Sequence, residues 1–166
     1  IAPLMPYDAF LREKVNFDRS FGFDVDEAEV NPILLSHQRA IVAWAVAGGR
    51  RAIFASFGLG KSVMQLEILR LIVEHKGGRA LIVAPLGVRQ EFTHDAAMLG
   101  LDITFVRRDD ELDGDGLYIT NYESVRDGKL DPANFTATSL DEASVLRSFG
   151  SKTYQTFLTL FDEVLY

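Results

Sequence analysis

The sequence predicts an α/β domain with a mainly parallel sheet flanked by helices. Short apolar runs of strand length alternate with longer segments of helical periodicity, and this alternation is typical of parallel sheets that are covered by helices. A glycine-rich loop at residues 55–62 joins a predicted strand to a predicted helix. That context is typical of phosphate-binding loops.

The predicted elements follow one another at short spacings. Ser36 can cap a helix that runs to about Ala47, where Gly48 and Gly49 end it. Further helices are predicted over 61–74, 90–98, 124–127 and 151–164, and strands over 51–55, 80–84, 102–106, 117–120 and 137–140. The last strand is the weakest prediction, because it is rich in small and hydroxyl-bearing residues. Residues 1–35 are expected to form an N-terminal extension and residues 36–166 the domain itself.

Composition indicates an ordinary globular domain. The chain has 166 residues, of which 48% are apolar and 25% charged, enough to bury a core of its own. Cysteine is absent, which excludes disulfides, thiol catalysis and cysteine-type zinc sites. The formal net charge of -7 argues against a protein that coats nucleic acid or membranes by bulk charge, although a local basic patch remains possible.

The strongest motif is Ala-Ser-Phe-Gly-Leu-Gly-Lys-Ser at residues 55–62. Its two glycines let the backbone fold around phosphate oxygens, and the N-terminus of the next helix adds partial positive charge. Lys61 is predicted to contact the β- and γ-phosphates, and Ser62 to ligate Mg²⁺. A glycine-rich turn without a ligand is the alternative. The predicted nucleotide-binding residues of the loop are Phe57, Gly58, Leu59, Gly60, Lys61 and Ser62.

A pair of carboxylates, Asp141 and Glu142, follows the last predicted strand. Because the carboxyl ends of parallel strands lie along one edge of a sheet, the pair is expected beside the phosphate-binding loop. Asp141 is predicted to hold Mg²⁺, and Glu142 to be the catalytic general base that activates water, with Lys61 as the other catalytic residue. The alternative is a simple charge pair at a helix N-terminus.

Together, these segments resemble the first RecA-like domain of superfamily 2 helicases and translocases (DEAD/DEAH-like), particularly the Swi/Snf-like branch and related phage-type proteins. Residues 55–62 look like motif I, in which this superfamily commonly has Ala first, and residues 141–144 are a DEAx form of motif II. Residues 35–38 look like the Q motif, residues 84–92 like motif Ia and residues 119–123 like motif Ib. The resemblance covers about residues 35–150.

The resemblance implies ATP and Mg²⁺ as cofactors. The Gln38 amide would read adenine, since it can pair with both the N6 donor and the N7 acceptor of that base. Phe21 or Phe23 is a candidate for stacking on the adenine, with core packing as the favoured interpretation.

The resemblance also implies a nucleic-acid partner, DNA rather than RNA. Arg89, Thr120 and Asn121 would contact the phosphates of one strand, which positions a backbone without reading its sequence. Capped loops at strand ends are the alternative for these residues. The implied location is the cytoplasm of a bacterial or phage-infected cell, with no membrane association.

The same resemblance implies elements that the 166 residues do not contain. These are a motif III strand and a second RecA-like domain with an arginine finger, so the domain is expected to be truncated before the motif III strand. That strand normally lies between the motif I and motif II strands. The sheet is therefore expected to have a gap there, to be completed by another chain or to be rearranged, and hydrolysis by the chain alone is expected to be weak.

The function predicted from these observations is the ATP-binding and hydrolysing N-terminal lobe of a nucleic-acid-dependent ATPase that moves along a strand. A nucleoside or small-molecule kinase is one alternative, but it would need a lid with several arginines, and the region after Glu142 offers Arg147 and Lys152. A nucleotide-binding regulatory module without turnover is the other. The retained phosphate-loop lysine and carboxylate pair argue against it.

Overall fold

The computed structural model of the chain describes residues 21–56, 58–162 and 164–166, with the backbone alone at Ser151. The expectations for residues 1–20 and for Phe57 lie outside the described residues. The helices are α1 (Ser36–Gly48), α2 (Lys61–Lys76), α3 (Arg89–Met98), α4 (Tyr122–Arg126) and α5 (Ser151–Thr159). The strands are β1 (Arg79–Ala84), β2 (Ile103–Phe105), β3 (Gly116–Asn121) and β4 (Ala137–Leu140).

The four strands form one sheet in the order β2-β3-β1-β4, and every pairing is parallel. In the register of the sheet, Ala84 of β1 lies opposite Asn121 of β3, and Val83 lies opposite Leu140 of β4. The carboxyl ends of these three strands therefore lie side by side. This architecture confirms the predicted α/β class with a parallel sheet flanked by helices.

Helices cover both faces of the sheet. Successive side chains of a strand point to opposite faces, so Ala80, Ile82 and Ala84 pack into the core beneath α1, α2 and α3. Leu81 and Val83 pack into the core on the other face, with aromatic residues of α4 and α5. A strand buried on both sides reads as a continuous apolar run, which is why residues 80–84 were readily predicted.

Most predicted elements are confirmed to within a few residues, with two differences at helix ends. The N-cap of α1 is Leu35 rather than Ser36, because the Gln38 side chain accepts a hydrogen bond from the Leu35 N–H at 2.9 Å. Helix α5 ends at Thr159, five residues before the predicted end at Val164. In the part of the chain that the structure describes, no helix is long and apolar enough to cross a membrane.

The strand predicted over 51–55 is wrong. Residues 51–56 belong to no strand, although they alternate between half-buried and exposed positions as an extended segment does. Phe54 is 96% exposed. A strand requires a hydrogen-bonded neighbour, and the four-stranded sheet ends at β4 without reaching this segment.

A cleft of about 1050 Å³ separates residues 50–55 from β4. At its floor the Thr138 N–H of β4 donates to the Tyr166 carbonyl at 2.8 Å. Arg50 closes one end by donating to the carbonyls of Asp162 and Val164. In the described residues a gap therefore separates residues 51–55 from β4, which agrees with the first of the three expected arrangements.

Helix α2 is anchored at its centre by a buried charge. The Glu67 carboxylate is fully buried, accepts the Asn31 N–H at 2.7 Å, and is paired with Arg70 at 2.6 Å. The hydrogen bonds that Arg70 donates to Glu67 raise the pKa of Arg70 above its ordinary value. Glu67 therefore fastens the loop before α1 to α2, and so fixes the helix that begins at Lys61.

Candidate active site

The predicted phosphate-binding loop has, at its two glycines, the backbone that glycine favours. Gly58 and Gly60 adopt positive φ angles of 79° and 72°, a region that favours glycine. Among the described residues other than its chain neighbours, no atom lies within 4 Å of where a Cβ of Gly58 would be, so the loop is open on that side. Gly60 is the N-cap of α2, so the free N–H groups of the first turn of α2 begin directly after the loop.

Gln38 contacts this loop. Its Nε2 donates to the Leu59 carbonyl at 3.1 Å, while its Oε1 accepts the Leu35 N–H. A Cβ on Gly60 would lie 2.5 Å from the same Nε2. The structure therefore brings Gln38 to the loop, and its predicted contact with adenine stays a prediction.

Ser62 faces α3 rather than the carboxylate pair. It is buried, and its hydroxyl donates to Glu91 Oε1 at 3.2 Å. It also lies beside Asp95. Burial raises the pKa of the Asp95 carboxyl above its ordinary value, and the hydrogen bond with Ser62 offsets part of that rise. An incoming cation at Ser62 would have to compete with the hydrogen bond to Glu91.

Asp141 and Glu142 follow β4 directly, as predicted. The Asp141 N–H donates to the Val83 carbonyl at 2.8 Å, and the Asp141 carbonyl accepts from the Tyr122 hydroxyl at 2.6 Å. Burial raises the pKa of Tyr122, and the charges of Asp141 and Glu142 raise it further. The Asp141 backbone is therefore fixed from both sides.

Glu142 has an unusual backbone. Its φ of 52° and ψ of 51° are left-handed, and it is the one residue other than glycine with positive φ in the described chain. This conformation costs a residue with a Cβ about 1 kcal/mol. The turn exposes the Glu142 side chain at the cleft, and strained residues of this kind cluster at functional sites.

The cleft brings the predicted catalytic residues together. Lys61 from α2 lines it, as do Asp141 and Glu142 from the end of β4. These residues are 80 positions apart in the chain and meet because α2 packs over β4. Residues that are distant in the sequence therefore line the same cleft.

The residues present fit a magnesium–nucleotide. The Ser62 hydroxyl and the Asp141 carboxylate are the hard oxygen donors that Mg²⁺ prefers. The open space at Gly58 leaves room for a phosphate against the backbone. Asp141 Oδ1 is engaged with the Gln65 amide, which leaves the second carboxylate oxygen as the donor toward a cation.

The predicted nucleic-acid residues differ in exposure. Arg89, the first residue of α3, is exposed, and its guanidinium lies 4.0 Å from the centre of the Phe105 ring. Thr120 and Asn121, at the end of β3, are buried. The Asn121 side chain caps α4 by accepting the Ser124 N–H at 2.8 Å. Contacts of these residues with a strand stay a prediction, and in this structure Arg89 alone of the three is exposed.

Phe21 and Phe23 lie away from the loop. Phe23 stacks on His75 at 4.5 Å, near the C-terminal end of α2, and that end is about 21 Å along the helix from Lys61. Phe21 is 61% exposed and its N–H donates to the carbonyl of Gly48 at the end of α1. Core packing, the favoured interpretation, is therefore confirmed for Phe23.

Sequence reasoning missed three residues that contact the predicted site. Gln65 binds Asp141, Glu91 accepts from Ser62, and Tyr122 binds the Asp141 carbonyl. Gln65 carried a readable signal, because it is a polar residue one turn after Lys61 in a largely apolar helix. The other two are joined to the site by tertiary contacts that no local pattern encodes.

Comparison with known proteins finds similarity in structure alone. No family model matches the chain, and no curated protein is similar in sequence. The crystal structure of the UvsW helicase from bacteriophage T4 superposes with a TM-score of 0.62 and 14% identity, over 96% of this chain and 56% of that one. Another crystal structure of T4 UvsW gives a TM-score of 0.61 and 17% identity, over 78% of this chain and 28% of that one.

The chain therefore shares the α/β fold, with a parallel sheet flanked by helices, of part of these helicase structures. It spans about half or less of the length of the UvsW chains that it matches. Because the identities are low, the similarity extends to the arrangement of helices and strands. A shared fold does not determine the chemistry of a site, which depends on the residues that line the cleft.

Proposed function

We propose that the chain is the ATP-binding and hydrolysing lobe of a nucleic-acid-dependent ATPase, a DNA helicase or translocase. The observation that carries the proposal is that the cleft is lined by Lys61 of the phosphate-binding loop and by the Asp141–Glu142 pair. A cation, a carboxylate for Mg²⁺ and a second carboxylate for water are the parts that hydrolysis of a nucleoside triphosphate requires.

In this proposal the loop binds and the acid pair performs the chemistry. Backbone N–H groups of 58–62 and the Lys61 ammonium hold the phosphates. Ser62 and Asp141 would hold Mg²⁺, which neutralises phosphate charge when bound. Exposed Glu142 accepts a proton from the attacking water. The family resemblance implies that an arginine of a second lobe completes such a site, so turnover by the chain alone is expected to be slow.

The likeness to a phage helicase fold supports nucleic acid as the partner. The proposed contact surface is the carboxyl edge of the sheet, where exposed Arg89 follows β1. With a net charge of -7 the chain offers few cations for phosphates. Nucleic-acid binding by this chain is therefore expected to be weak and to fall steeply with salt.

The test is ATP hydrolysis with and without single-stranded DNA, single-stranded RNA or duplex DNA. We expect hydrolysis that nucleic acid stimulates, and a loss of about 100-fold in Glu142→Gln with ATP binding retained. Glu27→Gln, an exposed position far from the cleft, is the matched control. Phosphate transfer to a nucleoside without stimulation would instead identify a kinase, and ATP binding without turnover in any condition would identify a regulatory module.

A further inference from the structure

Gln65 joins α2 to the end of β4. It lies one helical turn after Lys61, and its Nε2 donates to Asp141 Oδ1 at 2.9 Å. Ser139 Oγ donates to Gln65 Oε1 at 2.7 Å. Ser139 lies in β4 and Asp141 is the first residue after that strand, and the side chains of both reach the same amide. A single amide therefore bridges both.

The chemistry of its partners fixes the direction of this amide. A carboxylate can only accept hydrogen bonds, so the NH₂ group of Gln65 has to face Asp141, and its carbonyl is left for Ser139. The Gln65 side chain is half-buried, which shields the bridge from competing water. Because an amide is neutral, it orients the Asp141 carboxylate without cancelling its charge, as a lysine or arginine would.

Gln65 restrains the last free part of Asp141. The backbone of Asp141 is held by Val83 and Tyr122, so rotation of its side chain is the remaining freedom. The hydrogen bond at Oδ1 restricts that rotation and leaves Oδ2 for a cation. Ser62, the other proposed Mg²⁺ ligand, is three residues before Gln65 on the same helix, and in this structure its hydroxyl donates to Glu91.

We propose that Gln65 is a positioning residue that orients Asp141 toward Mg²⁺ and couples its position to the helix that carries Ser62. The inference rests on the proposed function, since it assigns Gln65 a part in the same nucleotide site. It separates two contributions to nucleotide binding. The phosphate-binding loop acts with or without Mg²⁺, whereas Gln65 acts through the metal ligand alone.

The experiment is a Mg²⁺ titration of the 166-residue chain with a fluorescent, non-hydrolysable ATP analogue. Gln65→Met keeps the length and packing of the side chain and removes both hydrogen bonds. We expect the Mg²⁺ midpoint to rise about 10-fold, with the affinity for the analogue in EDTA unchanged. Gln155→Ala, on the exposed surface of α5, is the matched control.

Ser139→Ala provides a second, independent variant. It removes the anchor of the Gln65 carbonyl and should raise the Mg²⁺ midpoint by a smaller factor. The double variant should be no worse than Gln65→Met alone, because both changes act through one amide. Additive losses would contradict a shared route.

The outcomes separate this inference from the proposed function. An unchanged Mg²⁺ midpoint in Gln65→Met, or an equal loss of affinity with and without Mg²⁺, would overturn the positioning role while leaving a nucleotide site in place. If the unaltered chain binds the analogue no better with Mg²⁺ than without, and Lys61→Ala behaves identically, the proposed function fails and the role of Gln65 fails with it.

Discussion

The two halves of the candidate site are built in different ways. The acid half, residues 139–142, is hydrogen-bonded to three elements. It accepts from Tyr122 of α4 and Gln65 of α2, and it donates to the Val83 carbonyl of β1. The loop half, residues 55–62, follows an extended segment that pairs with no strand of the sheet. Its shape comes from the left-handed glycines and from contact with Gln38.

Because of this difference, we expect substitutions in the two halves to affect stability and nucleotide binding to different degrees. The backbone of the acid half is held by these hydrogen bonds, so substitutions that remove one of them should reduce stability together with activity. The loop half depends on α2 for its position and on backbone conformation for its shape. Substitutions there should reduce nucleotide binding with smaller changes in stability, unless they release α2 itself.

Releasing α2 is the largest perturbation we expect. Glu67→Ala leaves the Arg70 guanidinium and the Asn31 N–H without their buried partner, which should lower the free energy of unfolding by about 3 kcal/mol. Glu74→Ala, which removes an exposed partner of the same arginine, should cost less than about 0.5 kcal/mol. Urea denaturation measures both, and equal effects would show that burial of Glu67 does not anchor the helix.

Removing one hydroxyl should distinguish the acid half from the loop half. Tyr122→Phe leaves the Asp141 carbonyl unsatisfied next to a buried ring, at a cost of about 2 kcal/mol. The variant should also weaken hydrolysis, because Asp141 loses one of its restraints. A stability within error of the unaltered chain would contradict the claim that these hydrogen bonds hold the backbone of the acid half.

The pH dependence of the same tyrosine has a definite sign. Tyrosines of the unfolded chain ionise near pH 10, whereas burial raises the pKa of Tyr122 in the fold. The fold therefore favours the neutral tyrosine. Its contribution to the free energy of unfolding is fully present below about pH 10 and is lost as the pH rises above that value. Tyr122→Phe should flatten the decline of stability in alkaline solution, measured by denaturation at successive pH values.

Two glycines of the loop sharpen the comparison. Alanine at Gly60 must adopt a left-handed φ and displace the Gln38 amide. The free energy of unfolding should fall by about 1.5 kcal/mol in total. Alanine at Gly58 meets no atom within 4 Å, so its cost is the backbone term of about 1 kcal/mol. Thermal unfolding of the pair measures the difference, and a reversed order would show that Gln38 does not support the loop.

The smallest predicted effect runs in the opposite direction. Glu142→Gly relieves the left-handed strain but adds freedom to the unfolded chain, for a net gain of about 0.5 kcal/mol. Hydrolysis should be lost in the same variant. A stabilised, inactive protein would mark Glu142 as a residue kept for chemistry at the expense of stability, whereas a destabilised one would refute the strain argument.

Local patterns were sufficient to predict most of the fold. Residues 80–84 read as a buried strand because both of their faces are apolar, and the loop at 55–62 read as a strand-to-helix turn because of its glycines. The carboxylate pair at 141–142 was placed at a strand end because parallel strands share one edge. These inferences need only neighbouring residues and the rules of sheet topology.

What could not be predicted depends on partners that are distant in the chain. Residues 51–55 have a strand-like pattern, but strand formation belongs to a pair, and the described sheet supplies no neighbour. Gln65 stands out as a polar residue in a largely apolar helix, but its partner Asp141 is 76 positions away, and no local pattern identifies that partner. Thr120 and Asn121 were assigned strand contacts from the family resemblance, and their burial at the end of β3 depends on packing that the local sequence does not show.

The central claim is that the cleft binds a magnesium–nucleotide through Lys61, and equilibrium binding of ATP tests it most directly. Isothermal titration of the chain with ATP and Mg²⁺ should give a single site, weakened about 100-fold by Lys61→Ala. Lys129→Ala, an exposed position remote from the cleft, should leave the affinity unchanged. Binding that is absent, or identical in the unaltered chain and Lys61→Ala, would contradict the account.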